Sequence, residues 1–164
     1  MNKIITLLTI ISIGISLIKA PVPFECTTLE ERAEMAQMSI EEFIFISSVV
    51  EAESNRCTDS TEGRRYIALT ILNRVNDDRF PDTITEVLCQ SGQFSTVRRG
   101  QSVTNRTDLS DLAVIEAVEW INSGAEYPWV LFFNCRNYFS GYEAYDCIGG
   151  NYFSISEPMI EEET

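Results

Sequence analysis

The 164-residue chain contains no histidine. That absence excludes Ser-His-Asp triads, Cys-His pairs, HExxH zinc sites and the usual proton shuttle at neutral pH. Acid–base work falls to a carboxylate, Tyr, Lys or Cys. Basic residues are scarce, with 12 Lys and Arg against 25 Asp and Glu and a net charge of −13. Nucleic-acid affinity comes largely from neutralised phosphates, so no nucleic-acid partner is expected. The five cysteines, Cys26, Cys57, Cys89, Cys135 and Cys147, include no CxxC pair, which removes zinc-ribbon and thioredoxin-type sites. No DxDxDG spacing marks a calcium loop. No metal or cofactor is implied, and there is no internal repeat or sustained heptad.

Apolar residues make up 45% of the chain and aromatics 10%, the balance of one globular domain with a buried core. Residues 1–20 read MNKIITLLTIISIGISLIKA, an early Lys3 followed by an uncharged, mostly apolar run from Ile4 to Ile18. That is the layout of a secretory signal peptide, and the run falls short of the roughly 20 residues of a spanning helix. Export to the extracellular or periplasmic space is expected, with a cut after Ala20. An uncleaved anchor is the alternative, because Ile18 is not small and Pro21 follows the cut. Removal takes Lys3 and Lys19 away and leaves 10 basic against 25 acidic residues. Such a self-repelling chain is expected to be a monomer without stable membrane insertion. In an oxidising compartment the cysteines become disulfide candidates. Cys135 with Cys147, twelve residues apart across a turn-rich stretch, is the first expected pair and Cys57 with Cys89 the second.

Residues 21–28 (PVPFECTT) read as an extended linker. Thr28 with Glu31, and Ser39 with Glu42, form capping-box patterns that predict one helix through about Met38 and a second over IEEFIFISSVVEAES. Further helices are expected over 62–75, 83–89 and 109–123, with 90–100 a loop holding a short strand. EYPWVLFFN at 126–134 and IGGNYFSI at 148–155 are strand candidates. The folded domain is expected over 29–156, followed by an acidic tail at 157–164.

In the second helix, Ile46, Val49, Val50 and Glu53 fall at i, i+3, i+4 and i+7 on one face. Glu53 therefore extends an apolar stripe, whereas Glu51 points about 100° away from Val50, toward the polar flank. A carboxyl that ends a buried stripe loses solvation and holds its proton, as the general acid of glycoside cleavage must.

Several blocks surround this helix: VVEAES at 49–54, EGRRYIALTILNRV at 62–75, RFPDTITEVLCQSGQFS at 79–95, LFFN at 131–134 and IGGNYF at 148–153. In this order and spacing they resemble the cell wall hydrolase family that includes the spore cortex-lytic enzymes. The resemblance implies an α+β fold, a mainly helical lysozyme-like domain with a small β-sheet. It implies cleavage of peptidoglycan glycan strands at the N-acetylmuramic acid to N-acetylglucosamine β-1,4 bond, by lytic transglycosylation or hydrolysis. It makes Glu53 the catalytic acid and then base, because Ala52 and Ser54 flank it as small residues flank the family Glu; Glu51 is the alternative. On the same resemblance Gln90, Gln93 and Asn134 would hydrogen-bond sugar substituents, and Phe94, Tyr127, Trp129 or Phe133 would stack on sugar faces. Asn73 and Arg74 are expected to fix helix ends and loops. Asn151 stands where the family commonly has His. A secreted glycan-binding module of the same fold, without catalysis, is the alternative reading.

Overall fold

The computed structural model describes residues 23–54, 61–98 and 105–155. The leader at 1–20, Cys57 with its expected pairing to Cys89, and the tail at 157–164 lie outside the described residues. The described residues open on a 3-10 turn, Phe24–Cys26, within the segment expected to be extended. Six helices follow among the described residues: α1 (Leu29–Met35), α2 (Ile40–Glu53), α3 (Thr61–Val75), α4 (Ile84–Cys89), α5 (Ser95–Arg98) and α6 (Asp108–Asn122). Both capping boxes form. The Thr28 hydroxyl accepts the Glu31 N–H while the Glu31 carboxylate accepts the Thr28 N–H, and Ser39 and Glu42 repeat the exchange. Thr107 caps α6 the same way, with Ser110 in the place usually held by Glu or Gln. The short α5 replaces the strand expected after Gln90.

Helix α3 is the hub of the core, buried along most of its length and packed between α2, α6 and the first strand. Ile46, Val49 and Val50 of α2 meet Ile67, Leu69 and Ile71 of α3 there, all without solvent exposure. Two of the polar residues α3 carries inward are held by backbone carbonyls of the segment around the first strand. Asn73 Nδ2 donates to the carbonyls of Pro128 (3.2 Å) and Val130 (3.0 Å), and Arg74 Nε donates to that of Leu131 (2.8 Å). These two residues therefore pin the first strand to the hub helix. Asn73→Ala should lower stability by about 2 kcal/mol, since it orphans two carbonyls at a fully buried site; urea denaturation at neutral pH measures it.

The sheet has three antiparallel strands, β1 (Val130–Asn134), β2 (Ala144–Ile148) and β3 (Asn151–Ile155), in the order β1-β3-β2. The result is the mainly helical α+β architecture. Gly149 and Gly150, at φ 58° and 83°, are not strand residues as expected but the two-residue turn joining β2 to β3. Positive φ at both positions is what such a tight hairpin demands. The order of the strands overturns the Cys135–Cys147 pairing, and both thiols are free. Asn134, next to Cys135, and Cys147 face Tyr152 of β3 from opposite sides. Two strand spacings, about 9.5 Å, lie between them, beyond the roughly 7 Å limit for the Cα atoms of a disulfide.

Candidate active site

Helix α2 ends at Glu53, and its last turn opens into a cleft of about 560 Å³. The far end of β1, Phe132 to Asn134, lines it too, with Cys135, Phe139 and Asn151; the nearly buried Arg74 and Phe94 form its floor. Gly92 sits at φ 85°, with nothing within 4 Å of where a Cβ would stand. Its glycine is required by conformation and not by space, and the turn it allows brings Gln93 and Phe94 to the cleft.

The two acids of α2 part company. Glu53 is half-buried, lines the cleft, and accepts a hydrogen bond on Oε1 from the Thr96 hydroxyl at 3.0 Å. Among the described residues lining the cleft it is the one acid. Glu51 is engaged elsewhere: Arg64 donates to it from Nε (3.0 Å) and Nη2 (3.1 Å), and the Thr107 hydroxyl donates at 2.8 Å. Burial alone would push the Glu51 carboxyl up, but the Arg64 and Thr107 hydrogen bonds and the Arg64 charge outweigh it and hold the group below the ordinary glutamate value. One helix turn thus carries one carboxylate locked in an ion pair and one facing open space.

Of the remaining residues singled out from the sequence, Gln93, Phe94, Phe133 and Asn134 line the cleft with Glu53. Phe94 is only 2% exposed, so it supports the floor and offers little ring face to a ligand. Gln90 and Trp129 are outside. Gln90 is the C-cap of α4, its N–H bonded to the Val87 carbonyl. The Trp129 indole N–H donates to Asp77 Oδ2 at 3.3 Å, and the ring lines a separate groove. Sequence reasoning missed Thr96, although it directly follows the QSGQFS block. It also left Arg74 out of the cleft: the guanidinium lies 5.1 Å from the Phe80 ring centroid and 5.4 Å from those of Phe94 and Phe132. Burial pushes its pKa down to about 10, and the three ring faces supply the electron-rich surroundings a buried cation needs.

A family model described as cell wall hydrolase matches residues 58–153, more than half of the chain. The match contains Gln93, Asn134 and Asn151 and begins five residues after Glu53. A spore cortex-lytic enzyme of Oceanobacillus iheyensis is 38% identical over 64 residues, which is 38% of this chain and 23% of that protein. The chain thus covers about a quarter of that relative's length. No solved structure matches. With the Gly92 turn, the cleft-lining strand end and the hairpin all inside the matched span, the chain belongs to the cell wall hydrolase family.

Proposed function

We propose that this protein works outside the cytoplasmic membrane and cuts peptidoglycan glycan strands at the β-1,4 bond between N-acetylmuramic acid and N-acetylglucosamine, with Glu53 as acid and then base. The observation that carries the reading is Glu53 itself, the one acid among the described residues of a cleft wide enough for sugar rings, with one carboxyl oxygen already taken. The name of the spore cortex-lytic relative supports a wall substrate.

The chemistry follows from which oxygen is free. Thr96 donates into Oε1, so the proton of the acid form resides on Oε2. The glycosidic oxygen takes that proton as its bond to C1 of the muramoyl sugar breaks, and the leaving sugar departs with a 4-hydroxyl. Charge developing at C1 is met by the carbonyl oxygen of the substrate's own N-acetyl group, so a second carboxylate is not needed. Glu53, now a carboxylate, accepts the proton of the hydroxyl that attacks C1. If that is the C6 hydroxyl of the same sugar, the product is a 1,6-anhydro end; if it is water, a reducing end. Gln93 and Asn134 are placed to hydrogen-bond acetamido and hydroxyl groups, and Phe133 to stack on a ring.

One observation favours a second reading, a binding module of the same fold: Asn151, 3% exposed at the cleft, stands where the family commonly has His. Mass spectrometry of fragments released from purified peptidoglycan, by the full chain and by Glu53→Gln, decides between the two. Thr96→Val should lower kcat about fivefold to tenfold with little change in KM, as expected for losing one aligning hydrogen bond. Thr96→Ser, which keeps a hydroxyl, should recover most of the rate; steady-state kinetics on soluble glycan fragments reads both.

A further inference from the structure

A second groove, about 460 Å³, lies outside the cleft and shares no lining residue with it. Its walls are aromatic: Trp120 from the end of α6, Tyr127 and Trp129 from the segment before β1, and Tyr145 from β2. The Tyr127 ring centroid is 6.5 Å from that of Trp120 and 6.1 Å from that of Trp129, so it sits between the two indoles. The polar atoms of the other rings are held by the protein. The indole N–H of Trp120 donates to the Glu126 carbonyl (3.2 Å), that of Trp129 to Asp77, and the Tyr145 hydroxyl is 3.2 Å from that of Tyr66. Tyr145 is 39% exposed and the other three rings are half-buried. Arg65 lies over the Trp120 ring (5.0 Å to the centroid) and Tyr66 stacks on Tyr145 (5.8 Å between centroids), so what the groove offers a ligand is the ring face these neighbours leave, with Glu126 completing the lining.

Charge and position select the occupant. A chain of net −13 gains no electrostatic attraction to an anionic wall polymer. Retention on such a polymer has to come from contacts that carry no charge, and the C–H faces of sugar rings stacked on aromatic faces are of that kind. The volume is within the roughly 300–1,000 Å³ of small-ligand sites. Strand β1 connects the two places, with Trp129 immediately before its start and Phe133 and Asn134 at its cleft end. Four residues of strand span about 13 Å, a separation that one polymeric strand can bridge and one sugar cannot.

We propose that this aromatic groove is a second glycan-binding site, which holds one stretch of an N-acetylated β-linked strand by stacking on its sugar faces while a neighbouring stretch enters the Glu53 cleft. The inference rests on the glycan substrate proposed above and adds a site to it. Two attachment points on one strand raise the effective concentration of substrate at the cleft.

The chain's two tryptophans, Trp120 and Trp129, both line this groove and neither lines the cleft. Tryptophan emission of the full chain carrying Glu53→Gln therefore reports the groove without altering it. Titration with soluble glycan tetrasaccharides prepared from purified peptidoglycan should give a saturable change in emission; a flat titration overturns the proposal. On purified sacculi, adding Tyr127→Ala to the Glu53→Gln chain should weaken retention about fivefold to tenfold, the loss of one stacking face. Tyr127→Phe should retain normally, and retention should not fall as NaCl is raised. Equal retention by folded Tyr127→Ala, or retention that collapses with salt, overturns the proposal. So does loss of a dimer on Tyr127→Ala with retention unchanged, which would give the face to a second copy. If Glu53→Gln still releases fragments, the catalytic reading fails, and the emission titration still judges the groove.

Discussion

Glu53→Gln should abolish fragment release from purified peptidoglycan, lowering kcat by about 10²- to 10⁴-fold, the range supplied by a positioned general acid. The substitution is close to isosteric. The amide oxygen can accept the Thr96 hydroxyl as Oε1 does, so the side chain keeps its place while losing the proton it would transfer. Binding should survive, and the variant should remain on sacculi with an unchanged melting profile. Any products of the parent chain then separate the two routes: anhydro-muramyl ends mean that the C6 hydroxyl attacked, reducing ends that water did. Fragments from neither chain, with both retained, would move the protein to the binding-module reading. Glu51→Gln is the necessary companion. Its carboxylate faces Arg64 and Thr107 and lies outside the cleft lining, so fragment release should persist close to the parent rate.

Helix ends and the stripe of α2 were legible because their causes are local. Thr28 with Glu31 and Ser39 with Glu42 carry their capping instructions within four residues. Period 3.6 alone separates Glu53 from Glu51, and the burial of Ile46, Val49 and Val50 follows it. What escaped depends on partners distant in sequence or on weak patterns. Strand β2 is mostly exposed and has no apolar alternation to betray it; its register is set by pairing with β3 through the Gly149–Gly150 turn. The Cys135–Cys147 pairing failed because proximity in sequence says nothing about which strand lies between. The resemblance implies a stacking role for Trp129 beside Glu53, but the ring lies outside the cleft, and the carboxylate that accepts its indole N–H, Asp77, is 52 residues away. Thr96 has no signature beyond following a matched block, because its value lies in reaching a helix end 43 residues earlier.

Arg64→Met should cost about 3 kcal/mol at neutral pH, and most of that loss should vanish in acid. The Arg64 side chain is 8% exposed and the Glu51 side chain 21%, and two hydrogen bonds join them. Removing the cation leaves a partly buried carboxylate that still accepts the Thr107 hydroxyl, and breaking a buried pair from one side costs about 3–5 kcal/mol. The residual access of Glu51 to water places the effect at the lower end. In the parent, Glu51 is held below its ordinary value of 4.5, so the unfolded chain takes up this proton first as pH falls. The stabilisation is therefore complete above about pH 4.5 and is lost as the pH drops through the folded value. In Arg64→Met the same carboxyl keeps its desolvation and loses its cation, so protonating it relieves a penalty instead of breaking a bond. The parent and variant unfolding free energies should run parallel near neutrality and converge as the pH falls, first as the variant's desolvated carboxyl takes its proton and then, below about pH 4.5, as the parent's does. Urea denaturation at stepped pH reads the gap directly. A gap that stays constant into acid would mean that Arg64 acts through packing of its stem and not through Glu51. The convergence also bears on the site. Because Thr107 both caps α6 and donates to Glu51, this ion pair ties α6 to the last turn of α2, the turn from which Glu53 enters the cleft. Acid should therefore weaken the tie between α6 and the last turn of α2 before it unfolds the hub around α3.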